Sequence, residues 1–163
     1  PMRPKELLFI YCHNMGESRI QKLLPVARFV CVAELPDHVL ACTRTKGSDL
    51  GTVEAIPCKG SRVCGVVFEV SFVELLDFTS VQAFPLFSKA DARFRKKCVV
   101  FEIGGTEHDH QHRDLQVWVF FGRGRRKAVD PGPHLRGLLV EGAKDWGLPP
   151  TYIEWLERMG VDE

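Results

Sequence analysis

Leu7-Leu8-Phe9-Ile10-Tyr11-Cys12-His13-Asn14-Met15 is an apolar run that ends abruptly in a polar tetrapeptide. Beyond it, Glu17-Ser18-Arg19-Ile20-Gln21-Lys22-Leu23-Leu24 changes to a helical rhythm, with Ile20, Leu23 and Leu24 on one face. Unbroken apolarity over residues 7–12 reads as a strand covered on both faces. A strand therefore feeds a loop that feeds a helix over 17–24. Such a junction can offer backbone N–H groups to an anion, because the first amides of a helix have no internal partner. A small-molecule pocket is expected around this loop.

The chain downstream reads as mostly strand. Residues 27–35 and 38–42 are expected as strands joined by a turn at Pro36-Asp37. Residues 51–56 and 62–70 follow, joined by a hairpin turn at Lys59-Gly60-Ser61. Ser71 is placed as the N-cap of a short helix over 72–78, and 79–93 as an irregular loop or lid. Two more strands, 94–103 and 115–121, flank a turn. Helices are expected over 135–143 and 151–159, the second with Thr151 and Glu154 at capping-box spacing. Six or seven strands meeting at short turns imply an α+β fold, a small mixed, mainly antiparallel β-barrel or curved sheet with a few packed helices. Residues 1–163 form one domain in this reading, with no internal repeats.

Composition narrows the function classes. The chain has 163 residues, 45% hydrophobic and 26% charged, with net charge +1. No global field favours nucleic acid, and no apolar run reaches the ~20 residues that cross a bilayer. The basic stretch Gly122-Arg123-Gly124-Arg125-Arg126-Lys127 reads as a solvated loop. The short apolar stretch behind the N-terminus does not read as a signal peptide, so a cytoplasmic location is the expectation. Cysteines 12, 31, 42, 58, 64 and 98 show no paired spacing, and four sit among apolar neighbours as reduced core thiols. The expected partner is a small-molecule substrate, with no nucleic acid and no membrane, the chain being a monomer or homodimer.

Both ends of the chain resemble one family. Tyr11-Cys12-His13-Asn14 stands where the γ-glutamylcyclotransferase family, including its AIG2-like members, opens with Tyr-Gly-Ser-Asn after a strand. Gly142-Ala143, then Gly147-Leu148-Pro149, then Tyr152 on a helix is similar to that family's closing motif. Between them, Gly65-Val66-Val67 resembles its Gly-Val-Val strand, Leu76-Asp77 its Leu-Asp, and Phe94-Arg95 with Val99 its next strand. The resemblance implies a small mixed barrel whose cavity holds a γ-glutamyl group or related metabolite. It also implies that the opening loop binds the substrate's carboxylate, and that no metal or organic cofactor is needed. In the family a glutamate after the Leu-Asp helix moves protons as an α-amine attacks a γ-carbonyl, giving 5-oxoproline and a freed amine. Here Ser80 occupies that position, or Gln82 if the gap shifts, so this chain reads as a divergent member without the usual acid. Phe120 takes the place of a strand tyrosine.

Three readings follow: an enzyme performing proton-transfer-driven cyclisation, elimination or amide cleavage of a small metabolite with proton carriers from elsewhere, a catalytically silent binding module that keeps the cavity, or a standard γ-glutamyl cyclotransferase with a relocated acid. His13 is the first candidate carrier, because an imidazole suits proton transfer near neutral pH. Glu54 and Glu69 alternate with apolar neighbours on strands and are the candidate acids. Substrate contacts are expected from Tyr11, Cys12, Asn14, Met15, Ser80 and Phe120. Cys12 is also weighed as a nucleophile, although adjacent residues at a strand's end face opposite ways. Asp77 is either the family's aspartate or a helix-end cap. His108, His110 and His112 alternate as zinc ligands do on a strand, but read as a solvated hairpin tip with no metal. The aromatic residues Phe78, Phe84, Phe87, Trp118, Phe120 and Phe121 read as core, or as a lid over a greasier pocket.

Overall fold

The computed structural model describes residues 5–44, 51–83, 94–103, 113–122 and 127–159. In order come β1 (Lys5–Ile10), a 3-10 turn (His13–Met15), α1 (Glu17–Leu23), β2 (Arg28–Arg44) and β3 (Gly51–Ser71). Then come α2 (Phe72–Ala83), β4 (Phe94–Glu102), β5 (Asp114–Phe121), β6 (Lys127–Ala128), α3 (Gly132–Trp146) and α4 (Pro150–Arg158).

Five strands close into a barrel. β1 runs antiparallel to β3, from Lys5 opposite Ser71 to Ile10 opposite Val66. On its other edge β1 lies parallel to β5, with Leu8 beside Trp118. β5 pairs antiparallel with β4, β4 with β2, and β2 with β3, which returns the sheet to β1. Closure leaves β1 without a free edge, and Leu8, Phe9 and Ile10 are buried. The fold is α+β and mixed, with one parallel contact. β1 and β3 approach closely because residue 65 has no side chain. A Cβ there would sit 2.5 Å from the Ile10 carbonyl and 2.8 Å from the Phe9 ring.

Two expected turns are bulges within long strands. Residues 27–35 and 38–42 belong to one strand, β2, and 51–56 and 62–70 to one strand, β3. The pairing jumps from Pro36–Arg62 to His38–Pro57. Asp37 takes the strain with φ 59°, its carboxylate accepting the Gly60 N–H at 3.0 Å, and Gly60 has φ 86°. Pro and Gly therefore mark a place where strands bend without ending. Beyond this bend the β2–β3 arm, residues 38–44 and 51–57, is joined by β6 through Thr43–Ala128.

The helices pack by their apolar stripes. α3 buries Leu139, Gly142 and Ala143, and α4 buries Tyr152 and Leu156. Ser71 and Glu74 form a reciprocal capping box at the start of α2. That helix runs on to Ala83, past the expected end at 78. α4 begins at Pro150 with Pro149 as its N-cap, so Thr151 is not the cap; proline's fixed φ suits the first helical position. The loop at 84–93, the histidines at 108–112 and the basic stretch at 123–126 lie outside the described residues. Among the described residues no helix is long and apolar enough to cross a membrane.

Candidate functional site

Loop 11–16 leaves the barrel at the end of β1. The Tyr11 hydroxyl, buried, donates to the backbone carbonyl of Phe120 on β5. Cys12 is also buried and has φ −101° and ψ −169°, an extended conformation open to any residue, so its side chain enters the loop without strain. Its carbonyl accepts the Met15 N–H at 3.0 Å, closing the 3-10 turn. His13 begins that turn and is half-buried. Asn14 is buried, and its side-chain oxygen accepts from Arg19 at 3.4 Å. Met15 is buried as well.

α3 grips the far side of the loop. Gly142, Asp145 and Trp146 lie at i, i+3 and i+4, on one helical face. Gly142 lets the backbones meet, since a Cβ there would come within 3.0 Å of the Gly16 nitrogen. The Asp145 carboxylate accepts the Glu17 N–H at 3.0 Å, capping α1, and the Trp146 indole N–H donates to the Met15 carbonyl. Trp146 stacks on Phe29 with ring centres 5.4 Å apart and meets Phe68 edge-on at 5.1 Å. Gly147, at φ 70°, ends α3 in the left-handed conformation, and Leu148 returns an N–H to the Ala143 carbonyl at 2.9 Å. Gly142 of the closing motif thus serves the opening loop together with Asp145 and Trp146, while Gly147 and Leu148 end the helix that carries them.

Glu54 is a buried carboxylate, 3% exposed, on the β2–β3 arm. Thr43, buried on the paired strand, donates its hydroxyl to Glu54 Oε2 at 3.0 Å. The other oxygen lies against Gly122, where a Cβ would stand 1.6 Å away. Gly122 is two residues beyond Phe120, about 7 Å at strand rise. The chain leaving β5 therefore touches Tyr11 through Phe120, still in the strand, and Glu54 through Gly122, just past it.

Of the other sequence candidates, Glu69 lies apart. It is half-buried near the opposite end of β1, paired with Lys5 at 3.0 Å. Phe120 is buried with its ring 5.4 Å from Phe78 of α2, so its backbone carbonyl is what meets Tyr11. Ser80 falls within α2, and its side chain is outside the described residues. Burial raises the thiols of Cys31 and Cys64 to about 11 and about 12, which keeps them protonated and inert. Burial likewise pushes the Tyr152 phenol upward. Thr43, Gly122 and Trp146 had no role in the sequence reading. For Trp146 the signal was the spacing Gly142, Asp145, Trp146, which puts all three on one helix face.

Against solved structures, the chain superposes on a γ-glutamyl cyclotransferase with TM-score 0.81, at 24% identity, over 96% of this chain and 88% of the other. The fold is that of the γ-glutamyl cyclotransferases. An uncharacterized protein from Homo sapiens superposes with TM-score 0.80 at 23% identity, over 95% of this chain and 88% of the other. A yeast γ-glutamyl cyclotransferase specific to glutathione superposes with TM-score 0.62 at 10% identity, over 94% of each chain. No family model and no curated protein matches the sequence.

Proposed function

We propose that this cyclotransferase-fold chain is an enzyme of small-metabolite chemistry whose substrate is held by loop 11–15, with His13 and Glu54 carrying protons. The observation that carries the reading is the convergence at β5: Tyr11 binds the Phe120 carbonyl, and the Thr43–Glu54 pair abuts Gly122. Between the ties at Tyr11 and Met15 lie Cys12, His13 and Asn14, the part of the loop whose side chains bear chemistry. Glu69, already engaged with Lys5, has no part in the proposal.

The reaction is a proton-transfer-driven cyclisation, elimination or amide cleavage, placed in a specialised biosynthetic pathway. For cyclisation of a γ-glutamyl amide, the α-amine nitrogen bonds to the γ-carbonyl carbon. The base takes a proton from that nitrogen, and the same proton passes to the departing amine as the old C–N bond breaks. The cyclotransferase name of two structural neighbours favours a γ-glutamyl substrate. Glu54 would then be a relocated acid for the familiar reaction.

The test is release of 5-oxoproline from γ-L-glutamyl-L-alanine, followed by thermal shift across a panel of amine- and carboxylate-bearing metabolites. Turnover is expected to fall about 100-fold or more in both His13→Ala and Glu54→Gln, the usual scale for a lost proton carrier. Turnover unchanged in both variants would remove the two residues from the chemistry. No turnover and no binding across the panel would overturn the reading itself.

A further inference from the structure

We infer that Trp146 is a positioning residue for the loop 11–15 site, fixing the Met15–Gly16 peptide and so the shape in which Cys12, His13 and Asn14 are presented. The inference rests on the proposal that this loop holds substrate. From within, the loop is held by the Met15 N–H on the Cys12 carbonyl and by Arg19 on the Asn14 side chain. The 3-10 turn has no side-chain cap, and α1, with Gly16 at its N-cap, has none either. A helix of seven residues is too short to persist alone. External ties therefore help to set the loop's geometry. Those from α3 fall on consecutive residues: the Trp146 N–H on the Met15 carbonyl, Gly142 against Gly16, and the Asp145 carboxylate on the Glu17 N–H.

Of the three, Trp146 is also packed on the barrel wall. Its indole stacks on Phe29 of β2 and meets Phe68 of β3 edge-on, and those two rings are register partners whose centres lie 6.5 Å apart. The ring cannot turn without breaking that stack, so the N–H direction is set by the sheet. Phenylalanine at 146 would fill the same stack and lack the donor.

The experiment is amide hydrogen exchange on the unliganded full chain carrying Trp146→Phe. Exchange at residues 13–17 is expected to rise about fivefold to tenfold, the scale of one net hydrogen bond, while β1 and β5 amides keep their wild-type rates. Unchanged exchange at 13–17, or an equal rise throughout the barrel, would overturn the inference. If Trp146→Phe does not fold, Phe29→Leu removes one face of the stack and leaves the donor. A smaller rise confined to 13–17 supports the inference, and no local rise overturns it. A second readout uses γ-L-glutamyl-L-alanine. Where wild type binds it, Trp146→Phe should weaken binding by a similar factor, and equal affinity refutes the positioning role. Failure of wild type to bind bears on the substrate proposal, while the exchange result still judges Trp146.

Discussion

The Glu54 carboxylate occupies the space that a side chain at Gly122 would need, with Oε1 only 1.6 Å from the position of a Cβ there. Gly122→Ala must therefore displace a buried carboxylate and loosen its bond from Thr43. Overpacking of this kind costs about 1–3 kcal/mol. Pairing it with Glu54→Ala removes the obstruction, so the double variant should be distinctly more stable than the two single losses add up to. Urea unfolding midpoints of the four proteins check this. Simple additivity would mean that the two residues do not touch.

Tyr11, just past the end of β1, ties to β5 by its hydroxyl, beyond the Leu8–Trp118 parallel contact and the bond from the Trp118 indole to Glu6. Tyr11→Phe keeps the ring, 6.0 Å from Phe9, and removes the donor to a buried carbonyl. Stability should fall by about 1–2 kcal/mol, since a buried acceptor is left without its partner. Binding of any metabolite identified by thermal shift should weaken with it. A variant as stable as wild type would show that water replaces the phenol.

The barrel was legible in the sequence where local pattern and tertiary role agree. The unbroken Leu8-Phe9-Ile10 run demanded cover on both faces, and the barrel supplies it by closing β3 and β5 over β1. Pro36-Asp37 and Lys59-Gly60-Ser61 misled, because bulges and turns use the same residues to reach the same backbone angles. Only the long-range pairing on either side tells them apart. Of the site, loop 11–15 was readable as a strand-to-helix junction. The partnership of Glu54 with Thr43 and Gly122 was not: it joins residues across a bent arm, and nothing local records that Glu54 turns inward while Glu69 pairs with Lys5.

Glu74 does more than a capping-box glutamate usually does. One carboxylate oxygen accepts the Ser71 N–H at 3.2 Å, and the other accepts the Val26 N–H at 3.1 Å, from the turn that precedes β2. Loss of an N-cap side chain typically costs about 1 kcal/mol, which is the expected effect of Ser71→Ala. Glu74→Ala frees two backbone amides together and should cost about twice that. It should also speed amide exchange at Val26, which Ser71→Ala leaves alone. Equal losses from the two variants would show that the bond to Val26 adds no stability.

The thiols set a limit to stability at high pH. Cys31 and Cys64 are raised to about 11 and about 12 from the usual 9.0, chiefly by burial, and Tyr152 is raised for the same reason. A group whose folded pKa exceeds its unfolded value keeps a proton in the native state that the unfolded chain gives up. Its stabilising contribution is complete below pH 9 and drains away as pH climbs toward 12. Urea midpoints should therefore hold level between about pH 7 and pH 8.5 and fall progressively above pH 9. Cys64→Ala lowers the midpoint at every pH through its cavity, but flattens the decline. At neutral pH the same burial predicts that a thiol reagent modifies exposed Cys58 first and reaches Cys31 and Cys64 only as the chain unfolds. Modification of Cys64 at the rate of Cys58 in the native protein, or a Cys64→Ala variant with an undiminished slope above pH 9, would show that burial does not hold these protons.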